Sequence, residues 1–97
     1  MAAQVGAGMY VEGVVQGVGY RGFAEMAAAG LHLTGYVRNL RDGRVQVEVE
    51  GDRGAVEAFV RRLKQGPRAA RVTAVKVTWR SASDGPTGGF GDFSIRY

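Results

Sequence analysis

The chain has no cysteine. This absence excludes a disulfide framework, a zinc–thiolate site and a cysteine nucleophile together, and it is compatible with the reducing cytoplasm in which we expect the protein to act. Serine is missing until Ser81, so a seryl intermediate built on the preceding residues is excluded as well. No segment approaches the roughly 20 apolar residues of a membrane span. Residues 1–8 have neither a basic start nor an apolar run, so we expect a flexible tail there, no signal peptide and no membrane partner. Blocks of like charge are also missing: 9 acids interleave with 13 bases for a net charge of +4. That balance is a marginal nucleic-acid signal, and we expect no nucleic-acid partner.

What is present reads as one small domain. Of the 97 residues, 45% are hydrophobic and 23% charged, close to globular averages; no internal repeat or second domain is visible, and the expected domain runs over 9–97. Met9 to Val15 reads as a valine-containing strand entering glycines. A helix follows from about Gly22 to Leu31, with Phe23, Met26, Ala27 and Leu31 at helical spacing and small alanines suited to close packing on a sheet. Thr34 to Leu40 is a second strand, and Arg41-Asp42-Gly43 is a hairpin signal. In the third strand Val45, Val47 and Val49 alternate with Arg44, Gln46, Glu48 and Glu50, so one face is buried and the other meets water.

Asp52 is a good N-cap for a second helix carrying Val56, Phe59, Val60 and Leu63, which stops at Gly66-Pro67. Arg71 to Arg80 returns as a strand in which Val75, Val77 and Trp79 alternate, residues 81–89 form a Ser/Gly-rich loop, and Phe93, Ile95 and Tyr97 close the chain as a short strand. The order predicts an α+β, ferredoxin-like βαββαβ sandwich: an antiparallel sheet with two helices on one face, plus a short C-terminal strand.

The most informative stretch is Gly13-Val14-Val15-Gln16-Gly17-Val18-Gly19-Tyr20-Arg21. Gly17 and Gly19 allow backbone angles closed to other residues, successive N–H groups in such a turn form an anion nest, and a helix start adds partial positive charge. Arg21 brings a planar fork that takes two phosphate oxygens at once. On spacing alone a plain turn fits equally well.

Val15-Gln16-Gly17-Val18-Gly19-Tyr20-Arg21 resembles the V-Q-G-V-G-[FY]-R signature of the acylphosphatases. Gly35-Tyr36-Val37-Arg38-Asn39-Leu40-Arg41-Asp42-Gly43-Arg44-Val45 resembles that family's second motif, G-x-V-x-N-x-x-D-G-x-V. The resemblance implies the ferredoxin-like fold and metal-independent hydrolysis of acyl phosphates to carboxylate and inorganic phosphate, with no cofactor. It implies phosphate binding by Gly17, Val18, Gly19, Tyr20 and Arg21 within the 16–21 loop, and catalysis by Arg21 and Asn39, the latter orienting water. Asn39 has a second reading as a strand-end residue bonding its own backbone. Inorganic phosphate or sulfate is expected to compete, and the protein is expected to be a monomer.

The topology brings the two motifs together, because the first two strands run parallel on either side of the third and end about 10 Å apart at about 4.8 Å per strand. His32, the only histidine, falls at the far end of the first helix from Arg21. It stands where the family usually places glycine, which implies a left-handed helix exit; Gly22 stands where a larger residue is usual. Asp42, Glu48, Glu50 and Asp52 read as turn, solvent face and cap, and no metal site is expected. An RNA-recognition module shares this element order, but Glu48 and Glu50 on the outer sheet face argue against a base-stacking platform. A phosphate-recognising accessory domain of a carbamoyl-transfer enzyme is a third reading, which the chain length makes less favoured than a free-standing enzyme.

Overall fold

The valine alternation of the third strand is where the core begins. In the computed structural model, which describes residues 4–81 and 91–97, Val45, Val47 and Val49 are at most 1% exposed. They lie in β3 (Val45–Asp52), and the strands flanking it are β1 (Gln4–Val14) and β2 (Thr34–Asn39). Val47 faces Met9 of β1 on one side and Val37 of β2 on the other. Both pairings are antiparallel, so β1 and β2 run parallel to each other across β3.

β4 (Arg71–Ser81) lies outside β1, and β5 (Phe93–Arg96) outside β2, giving the order β4-β1-β3-β2-β5. The helices α1 (Tyr20–Gly30) and α2 (Arg53–Gln65) cover the apolar face. Val56, Phe59, Val60 and Leu63 of α2 are all buried, as their i, i+3, i+4, i+7 spacing requires. Each fully buried side chain of this size stabilises the fold by about 1.5–3 kcal/mol.

Three local signals act as the sequence predicts. Asp52 caps α2, its Oδ2 accepting from Ala55 N–H at 3.2 Å. The β2–β3 turn closes with Leu40 N–H donating to Arg44 O at 2.8 Å. Beside it, Asp42 accepts from the Arg44 N–H at 3.1 Å and from its guanidinium at 2.9 Å; the backbone bond is the main reason its carboxyl lies below the usual range. His32 sits in the left-handed region at φ 57. Its N–H donates to Ala29 O and the Leu33 N–H to Ala28 O, the paired bonds of a Schellman exit. Glycine usually fills such a position.

Elsewhere the structure departs from expectation. β1 starts at Gln4, so residues 4–8, expected as tail, are paired with β3 and β4; Gly6, Ala7 and Gly8 carry no periodic signal, and pairing on both edges holds them. The buried face of α1 is Tyr20, Ala24, Ala27 and Ala28, whereas Met26 is 77% exposed. The helix begins two residues before the expected start, and Tyr20 rather than Phe23 anchors it. β5 pairs in parallel with β2, so the sheet is mixed rather than wholly antiparallel; alternation marks a buried face but carries no direction. Trp79 is 38% exposed, with the Arg53 guanidinium 4.7 Å above its ring, and Tyr97 lies past β5 at 98% exposure. Beyond Ser81, the expected 81–89 loop lies outside the described residues.

Candidate active site

At the end of β1 the chain has to turn sharply from sheet to helix within five residues, and the apolar ones fix the ends of that turn. Val15 is buried. Tyr20 is buried too, and its hydroxyl donates to Leu63 O at the end of α2 at 2.7 Å. Burial pushes its phenol well above the ordinary value, so it stays protonated and the bond persists. Between these anchors Gly17 and Gly19 take left-handed angles, φ 75 and φ 79. Gly19 occupies the N-cap position with no side-chain cap, and Phe23 N–H is the first to close back on it, donating to Gly19 O at 3.0 Å. The first N–H groups of α1 have no intrahelical partner, the condition on which helix-terminus anion sites are built.

Arg21 lies in the first turn of α1, and its guanidinium stacks 4.7 Å from the centre of the Tyr97 ring. Its Nη1 also reaches Arg96 O in a long contact of 3.5 Å. Both partners come from the β5 end, which docks beside β2. Asn39 ends β2, paired across from Val45. Its Oδ1 is buried and has no hydrogen-bond partner. A buried acceptor left unpaired costs about 1–3 kcal/mol, so this atom calls for an explanation.

These groups surround one pocket of about 150 Å³. Of the residues expected from the sequence, Gly17, Gly19, Tyr20, Arg21 and Asn39 line it. Val18 does not; its side chain packs on the core, which leaves only its backbone N–H to offer an anion. Val15, Gly22, Ile95 and Tyr97 complete the wall and were not foreseen. Gly22 could have been, since it departs from the resembled motif and a Cβ there would meet nothing within 4 Å. Ile95 and Tyr97 had no local signal, because only the parallel docking of β5 carries them to the site.

The other candidates are placed elsewhere. His32 is beyond the C-terminal end of α1, about 16 Å from Arg21 at about 1.5 Å per residue. Asp52 caps α2, Glu48 pairs with Arg80, and Asp42 is tied to Arg44. Among the described residues no group of three or more His, Cys, Asp or Glu side chains could hold a metal ion. The pocket therefore offers one cation, the N-terminal end of a helix and an unsatisfied amide oxygen, the parts of an anion cradle with a hydrogen-bond acceptor on its wall.

Known proteins share this arrangement of chain. A sequence model of the acylphosphatase family matches residues 7–95. The chain is 59% identical over 69 residues to the acylphosphatase of Thermus thermophilus, which spans 71% of this chain and 78% of that protein. It is 48% identical over 97 residues to that of Anaeromyxobacter dehalogenans, covering 100% of both. Its fold superposes on the crystal structure of acylphosphatase from Bacillus subtilis with a TM-score of 0.87 at 39% identity, covering 96% of this chain and 99% of the other.

Proposed function

The chain belongs to the acylphosphatase family and hydrolyses the carboxyl–phosphate bond of acyl phosphates, and from that premise we propose how its residues divide the work. Arg21 and the N–H groups of the 16–21 loop hold the phosphoryl oxygens. Asn39 orients the attacking water. The observation that carries this reading is the buried Asn39 Oδ1, which lacks a partner and shares its pocket with Arg21. An amide oxygen accepts a hydrogen bond; a water donating to it is held with its lone pairs turned toward the centre of the cradle.

The water oxygen then bonds to phosphorus as the bond from phosphorus to the acyl oxygen breaks. The carboxylate departs with the electron pair, and the water's proton passes to a phosphoryl oxygen of the substrate. The leaving acid has a pKa near 4, so no general acid is needed, and the reaction as proposed needs no metal. Catalysis is then mainly positioning and stabilisation of developing charge. Inorganic phosphate, one of the products, competes for the same cradle.

The test is Asn39→Ala, assayed with an aryl acyl phosphate in the presence of chelator. We expect kcat to fall on the order of 100-fold or more, with inhibition by phosphate changed by less than about threefold. A melting temperature that drops while kcat holds would assign Asn39 a structural role instead. Wild-type activity that appears only after metal is added would overturn the metal-free mechanism.

A further inference from the structure

The anion loop and the end of β2 belong to separate segments, and one side chain joins them. Gln16 Nε2 donates to Leu40 O at 2.7 Å and to Arg44 O at 2.9 Å. Both acceptors are carbonyl oxygens, so the atom between them has to be the amide nitrogen, and both of its hydrogens are used. Leu40 directly follows Asn39, and Arg44 O already accepts the Leu40 N–H that closes the hairpin. The two bonds therefore clamp the hairpin neck immediately after Asn39 to the residue that opens the 16–21 loop.

We infer that Gln16 is a positioning residue for the reaction, setting the distance between the Asn39 amide and the phosphoryl cradle. The inference rests on the proposed role of Asn39. If the clamp is lost, the two sides do not respond equally. The loop keeps its own anchors, buried Val15 and Tyr20 and the Tyr20 hydroxyl bond to Leu63 O. The hairpin neck keeps its pairing to β3 but loses its tie to the loop. Asn39 shifts relative to the bound phosphate, and a misplacement of about 1 Å can cost on the order of 100-fold in rate.

The role separates kinetically from a structural one. In Gln16→Met, which keeps the length and removes the donor, kcat for an aryl acyl phosphate falls about tenfold or more while inhibition by inorganic phosphate stays within about threefold. Gln16→Glu, which turns an acceptor toward two carbonyls, falls further. In an Asn39→Ala background Gln16→Met has no additional effect, because the positioned group is gone. Should Gln16→Met fail to fold, Gln16→Asn keeps the amide one methylene short and supplies the same comparison.

Three results would overturn the inference: kcat unchanged in Gln16→Met, a loss of phosphate inhibition matching the loss of kcat, or a full loss persisting in the Asn39→Ala background. Collapse in Asn39→Ala with none in Gln16→Met defeats this inference alone. Undiminished kcat in Asn39→Ala defeats the reading of Asn39, and this inference with it.

Discussion

The two helices of this protein begin in different ways. α2 starts at Asp52, whose carboxylate accepts from Ala55 N–H; the helix carries its own anion. α1 starts at Gly19 in the left-handed region, with no side-chain cap. Its first turn holds Arg21, a cation at the positive end of a helix, where it works against the helix dipole. Neither helix has an acid in its first turn, so the contrast lies in the cap. The capped end adds stability, and the open end gives some up. Local departures of this kind are expected where a sequence serves a ligand as well as its fold.

The largest effect should come from giving α1 the cap that it lacks. Gly19→Asp puts a carboxylate where a Cβ meets nothing within 4 Å, and kcat/KM for an acyl phosphate should fall on the order of 1,000-fold as the N–H groups are satisfied internally and the substrate is repelled. Gly19→Asn, similar in size and tolerant of the same angles, should lose far less; equal losses would show that the charge is irrelevant. Arg21→Lys comes next. It keeps the charge and removes the fork, and we expect kcat/KM to drop on the order of 100-fold, whereas a loss below about threefold would end the bidentate role.

Tyr20→Phe leaves Leu63 O without its partner and should cost about 1–3 kcal/mol by denaturant unfolding. The same variant tests a pH effect. The Tyr20 phenol titrates above its ordinary 10.0 because of burial. Below about pH 10 folded and unfolded chains bind the same proton; above it the unfolded chain releases the proton first, and stability falls as pH rises. Tyr20→Phe should flatten that part of the alkaline profile. The smallest effect is at the capped helix: Asp52→Ala should cost about 1 kcal/mol and leave kcat unchanged, and a loss of activity there would erase the distinction between the two helix starts.

How much could be read beforehand depended on how local each signal was. The valines of β3, the apolar spacing of α2, the Asp52 cap and the hairpin turn all depend on neighbours within a few residues, and all were legible; the left-handed His32 was expected only from the resemblance, which places glycine there. The α1 stripe was misread because Phe23 and Met26 stand out in hydrophobicity, whereas Ala24 and Ala28 are what small size allows against a sheet. The first residues of β1 were misread because glycines and an alanine show no alternation. Gln16 stood inside the recognised motif, but its partners lie 24 and 28 residues away, and no spacing rule connects a glutamine to those carbonyls.

The sequence by itself determined the elements, the glycine turn with its arginine and the asparagine at a strand end, because each follows from backbone sterics and short-range periodicity. Only the tertiary structure decided that β5 joins in parallel and brings Ile95 and Tyr97 to the pocket, and that Asn39 Oδ1 is buried without a partner. Those outcomes depend on which strand edges pair and which surfaces exclude water, and these are settled between segments far apart in the chain.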